Sequence, residues 1–142
     1  MFKSGLVLRW LVTLSGLIEI AFGFSIFFAP HAVIKMAFGS EADATALTLG
    51  QFLGAATFAL GMAAIRARNE LRTESGRAIA YGLTLYNVLA ALAARAALAA
   101  DLGGTALWVG GGVHAAIGAL LVFSLLASRG SSERDTQSSC PF

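Results

Sequence analysis

Charge is scarce in this chain. Only 13% of its 142 residues are Asp, Glu, Lys or Arg, about half the share found in an average soluble domain, which excludes an ordinary soluble protein. Cysteine is nearly absent too: Cys140 stands alone, so no internal disulfide can form. Only two residues follow Cys140, so there is no prenylation box either. Also missing are strand alternation, Cys/His metal spacing, a nucleophile elbow, a phosphate loop and a dinucleotide fingerprint. The Gly-rich "VGGGVHAAIG" follows no strand and has no Lys, so it is not a phosphate cradle. His31 and His114 fall at different depths and cannot together hold a haem. No catalytic residue, metal site or cofactor is therefore expected. The net charge of +2 and pI near 9.1 reflect where the basic residues sit, not nucleic-acid binding.

What is present is apolar sequence: 57% hydrophobic residues and a mean hydropathy of +0.75. It falls into four blocks, residues 6–29, 45–65, 78–99 and 105–126. Each is long enough to cross a hydrocarbon core of about 30 Å as a helix rising about 1.5 Å per residue. Helices satisfy their own backbone groups, which lipid cannot do. The expected fold is thus all-α, an integral membrane four-helix bundle over residues 1–128, with a polar, disordered cytoplasmic tail over 129–142. Residues 1–23 also suit a cleavable leader, since Lys3 and Arg9 precede an apolar run. That run is too long and contains Glu19, so it reads as a span.

Basic residues cluster on one side of this topology: Lys3 and Arg9, then Arg66, Arg68, Arg72 and Arg77, then Arg129 and Arg134. The positive-inside rule makes that side the cytoplasm and puts both termini there. The other side carries Lys35, Glu41, Asp43 and Asp101. Trp10 and Tyr81 suit one interface and Trp108 the other. Pro30 ends the first block, and "HAVIKMAFG" after it reads as a short amphipathic turn or helix in the outer interface. "ARNELRTESGR", residues 67–77, reads as a polar link with Ser75 and Gly76 as breakers. The pair Gly50 and Gly54, together with Gly111 and Gly118, gives the second and fourth blocks surfaces for close helix packing.

Five strongly polar residues lie within the blocks: Glu19, Gln51, Asn87, Arg95 and His114. Such groups at membrane depth normally face a partner inside the bundle. Glu19, Asn87 and His114 fall near one level. They lie on stripes with Ser15 and Gly23, with Thr84, Ala91 and Arg95, and with Gly111 and Gly118 respectively. Stripes turned inward predict an intramembrane polar centre of Glu19, Asn87 and His114, with Gln51 and Arg95 at its mouth or snorkelling outward. The centre serves either to bind a ligand or a proton, or only to lock helices together through mutual satisfaction.

The features "SGLIEIAFGFSIFFAP", "GQFLGAATFALGMAAIRAR" and the final Gly-rich span resemble those of small bacterial four-helix membrane proteins of the DoxX-like kind. The likeness covers roughly residues 6–126. It implies a multi-pass bundle in the bacterial inner membrane, with some relatives linked to quinone or sulfur redox systems. The span count and Glu19 also resemble the small multidrug resistance transporters, which exchange protons for cationic drugs through a membrane Glu. The loops here are longer than theirs, and the aromatic cage is missing. The expected function is an accessory subunit of a larger membrane complex or a hydrophobic-ligand binder without chemistry of its own. A proton-coupled small-molecule transporter using Glu19 and a quinone-binding redox subunit are the alternatives. The partners these readings call for are membrane lipid and a larger complex or further copies of the chain.

Overall fold

The computed structural model describes the backbone of residues 3–137 and the side chains of residues 5–128. Expectations for Lys3, Arg129, Arg134 and Cys140 fall outside those side chains. The described residues form five helices, α1 (Lys3–Phe28), α2 (Pro30–Phe38), α3 (Ala44–Ala67), α4 (Glu74–Ala99) and α5 (Thr105–Gln137), and no strand. Four of them, over Gly5–Phe28, Ala44–Ala67, Glu74–Ala99 and Thr105–Ser128, are long and apolar enough to cross a membrane. The expected apolar blocks match these within a few residues. The polar tail expected from residue 129 begins as a continuation of α5, with no proline before Pro141 to stop it.

Local chemistry sets the boundaries. Pro30 lacks an N–H and sits at the first turn of α2, where none is needed. Ala29 (φ −134°) makes the break from α1. Gly39 ends α2 in the left-handed region at φ 71°, donating its N–H to Lys35 O. Asp43 and Thr73 cap α3 and α4, accepting from the N–H groups of Ala46 and Gly76. Ser75 and Gly76 therefore do not break the chain as expected; they form the first turn of α4, because Thr73 supplies the cap. Gly76 is needed there, since a Cβ would collide with Glu70 O.

The helices run up and down around a square. α1 packs most extensively on α3, and α4 on α5. α1 also meets α5, and α3 meets α4, while the diagonal pair α1 and α4 barely touch. The α1–α3 contact is backbone on backbone. A Cβ on Gly61 would lie 2.6 Å from Gly16 O, and one on Gly54 would lie 2.8 Å from Gly23 O. Gly16 and Gly23 are seven apart, as are Gly54 and Gly61, so both pairs sit in one antiparallel register. The α4–α5 contact follows the same logic, with Gly111 against Ala94 and Gly118 against Val88.

The main apolar core lies at the end of the bundle where α1 begins, termed here the proximal end. It gathers Leu8, Val12, Ala64, Ala80, Leu83, Ile117, Leu121 and Leu125 from all four long helices. At the distal end, α2 lies against α1, α3 and α5 but not α4, and buries none of its own residues. The Gly104 N–H ties the α4–α5 turn to Ala37 O at 3.0 Å. The outer surface is largely apolar, with Phe52, Trp108 and Phe123 each about 70% exposed (70%, 67% and 73%).

Candidate functional site

Several hydroxyls within the long helices are satisfied locally. Thr13, Ser25, Thr48 and Thr84 each donate to the carbonyl four residues back, at 2.7–2.9 Å. A second set of polar groups converges between the helices. Glu19, Thr57, Asn87 and His114 each lie within about three residues, or about 4 Å, of the middle of their helical span. Every long helix thus presents a polar side chain at one level.

Asn87 is the hub. Fully buried, it donates from Nδ2 to Ser15 Oγ at 3.0 Å and to Leu83 O at 2.9 Å. With its nitrogen so committed, its Oδ1 faces His114 Nδ1 at 3.0 Å, and the imidazole is the donor. Asn87 therefore joins α1, α4 and α5. Tyr86, the preceding residue, shares a hydrogen bond with Thr57 on α3 at 3.4 Å and packs edge-on against the His114 ring, centroids 5.7 Å apart.

Glu19 is the exception. Its side chain is fully buried, and neither Oε1 nor Oε2 has a hydrogen-bond partner; no other buried side-chain N or O among the described residues is left in that state. His114 Nδ1 is 3.7 Å from Oε1, but its hydrogen is directed to Asn87. Tyr86 is the other polar neighbour of the carboxyl: its hydroxyl shares a long bond with Thr57 and, by accepting there, keeps its own hydrogen to turn toward Glu19. Leaving a buried acceptor unpaired costs about 1–3 kcal/mol, and more for a charged group.

The structure thus brings Glu19, Asn87 and His114 together, and adds Ser15 from the stripe read in α1. Gln51 and Arg95 do not join them. Both side chains are exposed, and Gln51 Nε2 reaches instead toward Phe27 O at 3.5 Å. Helical rotation explains this: at about 100° per residue, Arg95 is turned some 80° from Asn87, and Gln51 about 100° from the inward Gly50. Gly50, Gly54, Gly111 and Gly118 lie at helix contacts, Gly50 against Ile34 and Ile26. Thr57 and Tyr86 are members of the centre that the sequence pattern did not single out. Thr57 lies on the stripe of Gly50, Gly54 and Gly61, which is the signal that points to it.

Among the described residues no three His, Cys, Asp or Glu gather as a metal site. An open groove of about 430 Å³ lies among Gly23, Phe24, Phe27, Phe28, Ala55 and Phe58, apolar and without any member of the polar centre. At the distal end, His31 and Lys35 of α2 both pair with Glu41, in the open. Such exposed pairs contribute about 0–1 kcal/mol. Comparison of the chain with known protein families, with curated proteins and with solved structures finds no match.

Proposed function

We propose that this chain is a multi-pass protein of the bacterial inner membrane, both termini cytoplasmic, that binds a small lipid-soluble ligand at its intramembrane polar centre. The four apolar helices and the apolar outer surface support insertion. The clustering of Arg66, Arg68, Arg72 and Arg77 at the proximal end supports the orientation. The DoxX-like resemblance agrees with this location.

One observation carries the ligand reading: Glu19 is fully buried with neither oxygen in hydrogen-bonding geometry with a partner, while His114 beside it is turned to Asn87. A centre that served only cohesion would pair Glu19 with His114. Here the imidazole is spent on Asn87, and the carboxyl is held in reserve. An ionisable group kept in this state at membrane depth marks a functional site. The same feature supports a second reading, a proton-coupled transporter in which Glu19 holds a proton or a substrate in turn. Service as an accessory subunit, for quinone redox chemistry or otherwise, is compatible with the site but draws no support from a particular contact.

The test is purification from the native membrane in mild detergent, with mass spectrometry of all copurifying protein and lipid-soluble material. A stoichiometric small molecule that is lost with Glu19→Gln supports the ligand reading. A stoichiometric protein partner without a small molecule makes the chain an accessory subunit instead.

A further inference from the structure

The glycine contact between α1 and α3 has a counterpart at the proximal end. Gly16 meets Gly61 and Gly23 meets Gly54 in one antiparallel register. Seven residues further along that register stand Arg9 on α1 and Arg68 on α3. A step of seven keeps a helical residue on nearly the same face, and Arg68, the C-cap of α3, holds helical backbone angles (φ −54°, ψ −25°). The packing that brings the glycines together therefore brings two arginines to one level on adjoining helices. Leu71 packs against the proximal core to which Leu8 belongs, so the linker that carries Arg68 and Arg72 is held against that end.

These guanidinium groups have no counter-charge in the chain. Among the described residues ion pairs are confined to Glu41 with His31 and Lys35, and to Glu19 with His114. Arg9 and Arg68 pair with no carboxylate, although Glu70 and Glu74 lie at the same end. Their depth suits a phosphate. Arg9 is ten residues from Glu19 and Arg68 eleven from Thr57, about 15–17 Å along the bundle from the polar centre. That is half the thickness of a hydrocarbon core of about 30 Å, the level at which lipid headgroups begin. Beside Arg9, Leu6, Trp10 and Leu14 are each more than half exposed, an apolar strip that acyl chains can cover.

We infer that Arg9 and Arg68 form a binding site for an anionic phospholipid, holding its phosphate between α1 and α3 while its chains lie along the face of α1 that bears Trp10. The guanidinium fork matches phosphate oxygens. Two uncompensated cations favour a lipid of net negative charge over a zwitterionic one, whose own cation opposes them. This rests on the membrane insertion proposed above, and not on any ligand at Glu19.

The experiment uses the full chain with Trp108→Phe, which leaves Trp10 as the sole tryptophan, reconstituted in phosphatidylcholine vesicles. Part of the lipid is replaced by dibrominated phosphatidylglycerol or, separately, by dibrominated phosphatidylcholine. Quenching of Trp10 fluorescence then reports which lipid sits beside Arg9. Phosphatidylglycerol is expected to be preferred at least about fivefold, the worth of one arginine near an anionic surface, and Arg9→Gln with Arg68→Gln to reduce the preference below about twofold. Arg66→Gln with Arg77→Gln removes the same charge from outside the α1–α3 contact and is expected to keep most of the preference. No preference in the parent overturns the site. Equal losses in the two double variants overturn it too, since a diffuse surface charge then accounts for the preference. Should the arginine variants fail to fold, Trp108 gives a second reading in Trp10→Phe with every arginine intact. No preference is expected there, at the distal end, and one equal to that at Trp10 overturns the placement. Inorganic phosphate added at constant ionic strength should leave the quenching unchanged; relief of quenching would assign the arginines to a soluble anion instead. The vesicles carry the lipid in both leaflets and no ligand for Glu19, so the result depends neither on the orientation nor on the polar centre.

Discussion

Asn87 and Ser15, seventy-two positions apart in the chain, meet at 3.0 Å in the middle of the bundle, and the side chains of both are fully buried. This bond and its companions to Leu83 O and His114 Nδ1 make one amide the junction of three helices. Asn87→Ala leaves buried partners unpaired and opens a void. It is expected to destabilise the bundle by about 1–3 kcal/mol, while Ser15→Ala, which removes one bond of the set, costs about 1 kcal/mol. Unfolding by SDS titration in mixed micelles measures both.

Glu19→Gln should behave in the opposite way. The carboxyl makes no hydrogen bond that the amide would lose, and the amide brings two donors of its own. Stability is expected to stay within about 0.5 kcal/mol of the wild type or to rise. A loss above about 2 kcal/mol in the same titration would reveal a partner for the acid.

The glycines divide into two groups by what surrounds them. Gly23→Ala and Gly61→Ala drive a methyl into the backbone of the facing helix and are expected to destabilise by about 1–3 kcal/mol. At Gly82 and Gly112 an added methyl would meet nothing within 4 Å. Ala at either position is expected to be neutral or to stabilise by up to about 1 kcal/mol through helix propensity. Thermal aggregation midpoints in detergent separate the two groups.

Orientation is tested with alkaline phosphatase, which is active only outside the cytoplasm. Fused after Leu102, in the α4–α5 turn, it should be active; fused after Ser128, at the end of the apolar part of α5, it should be inactive. The reverse pattern would invert the proposed topology.

Much of this architecture is legible in the sequence, because hydropathy and length fix a spanning helix almost without regard to its neighbours. Pro30 marks a true boundary for a similarly local reason. The level shared by Glu19, Asn87 and His114 is legible because depth follows from counting residues. Which faces meet is harder to read. A stripe taken in fours drifts by about 40° at each step, so a line that begins at Asn87 has left the interior by Arg95. Thr57 escapes notice because a Thr within a helix usually turns its hydroxyl back on its own backbone, as Thr48 does. Thr73 is hidden by the Ser and Gly after it, whose composition reads as a break even though the cap lies before them.

The matched sevens of α1 and α3 act as a depth gauge. Were α1 to slide one heptad along its partner, Gly16 would meet Gly54, but Gly23 would face the bulk of Leu47, and Arg9 would be driven against Gly61. Such a slip would carry Glu19 about 10 Å along the bundle axis, away from Asn87 and His114. Two missing side chains on each helix therefore hold the acid at its level without any bond to the carboxyl itself.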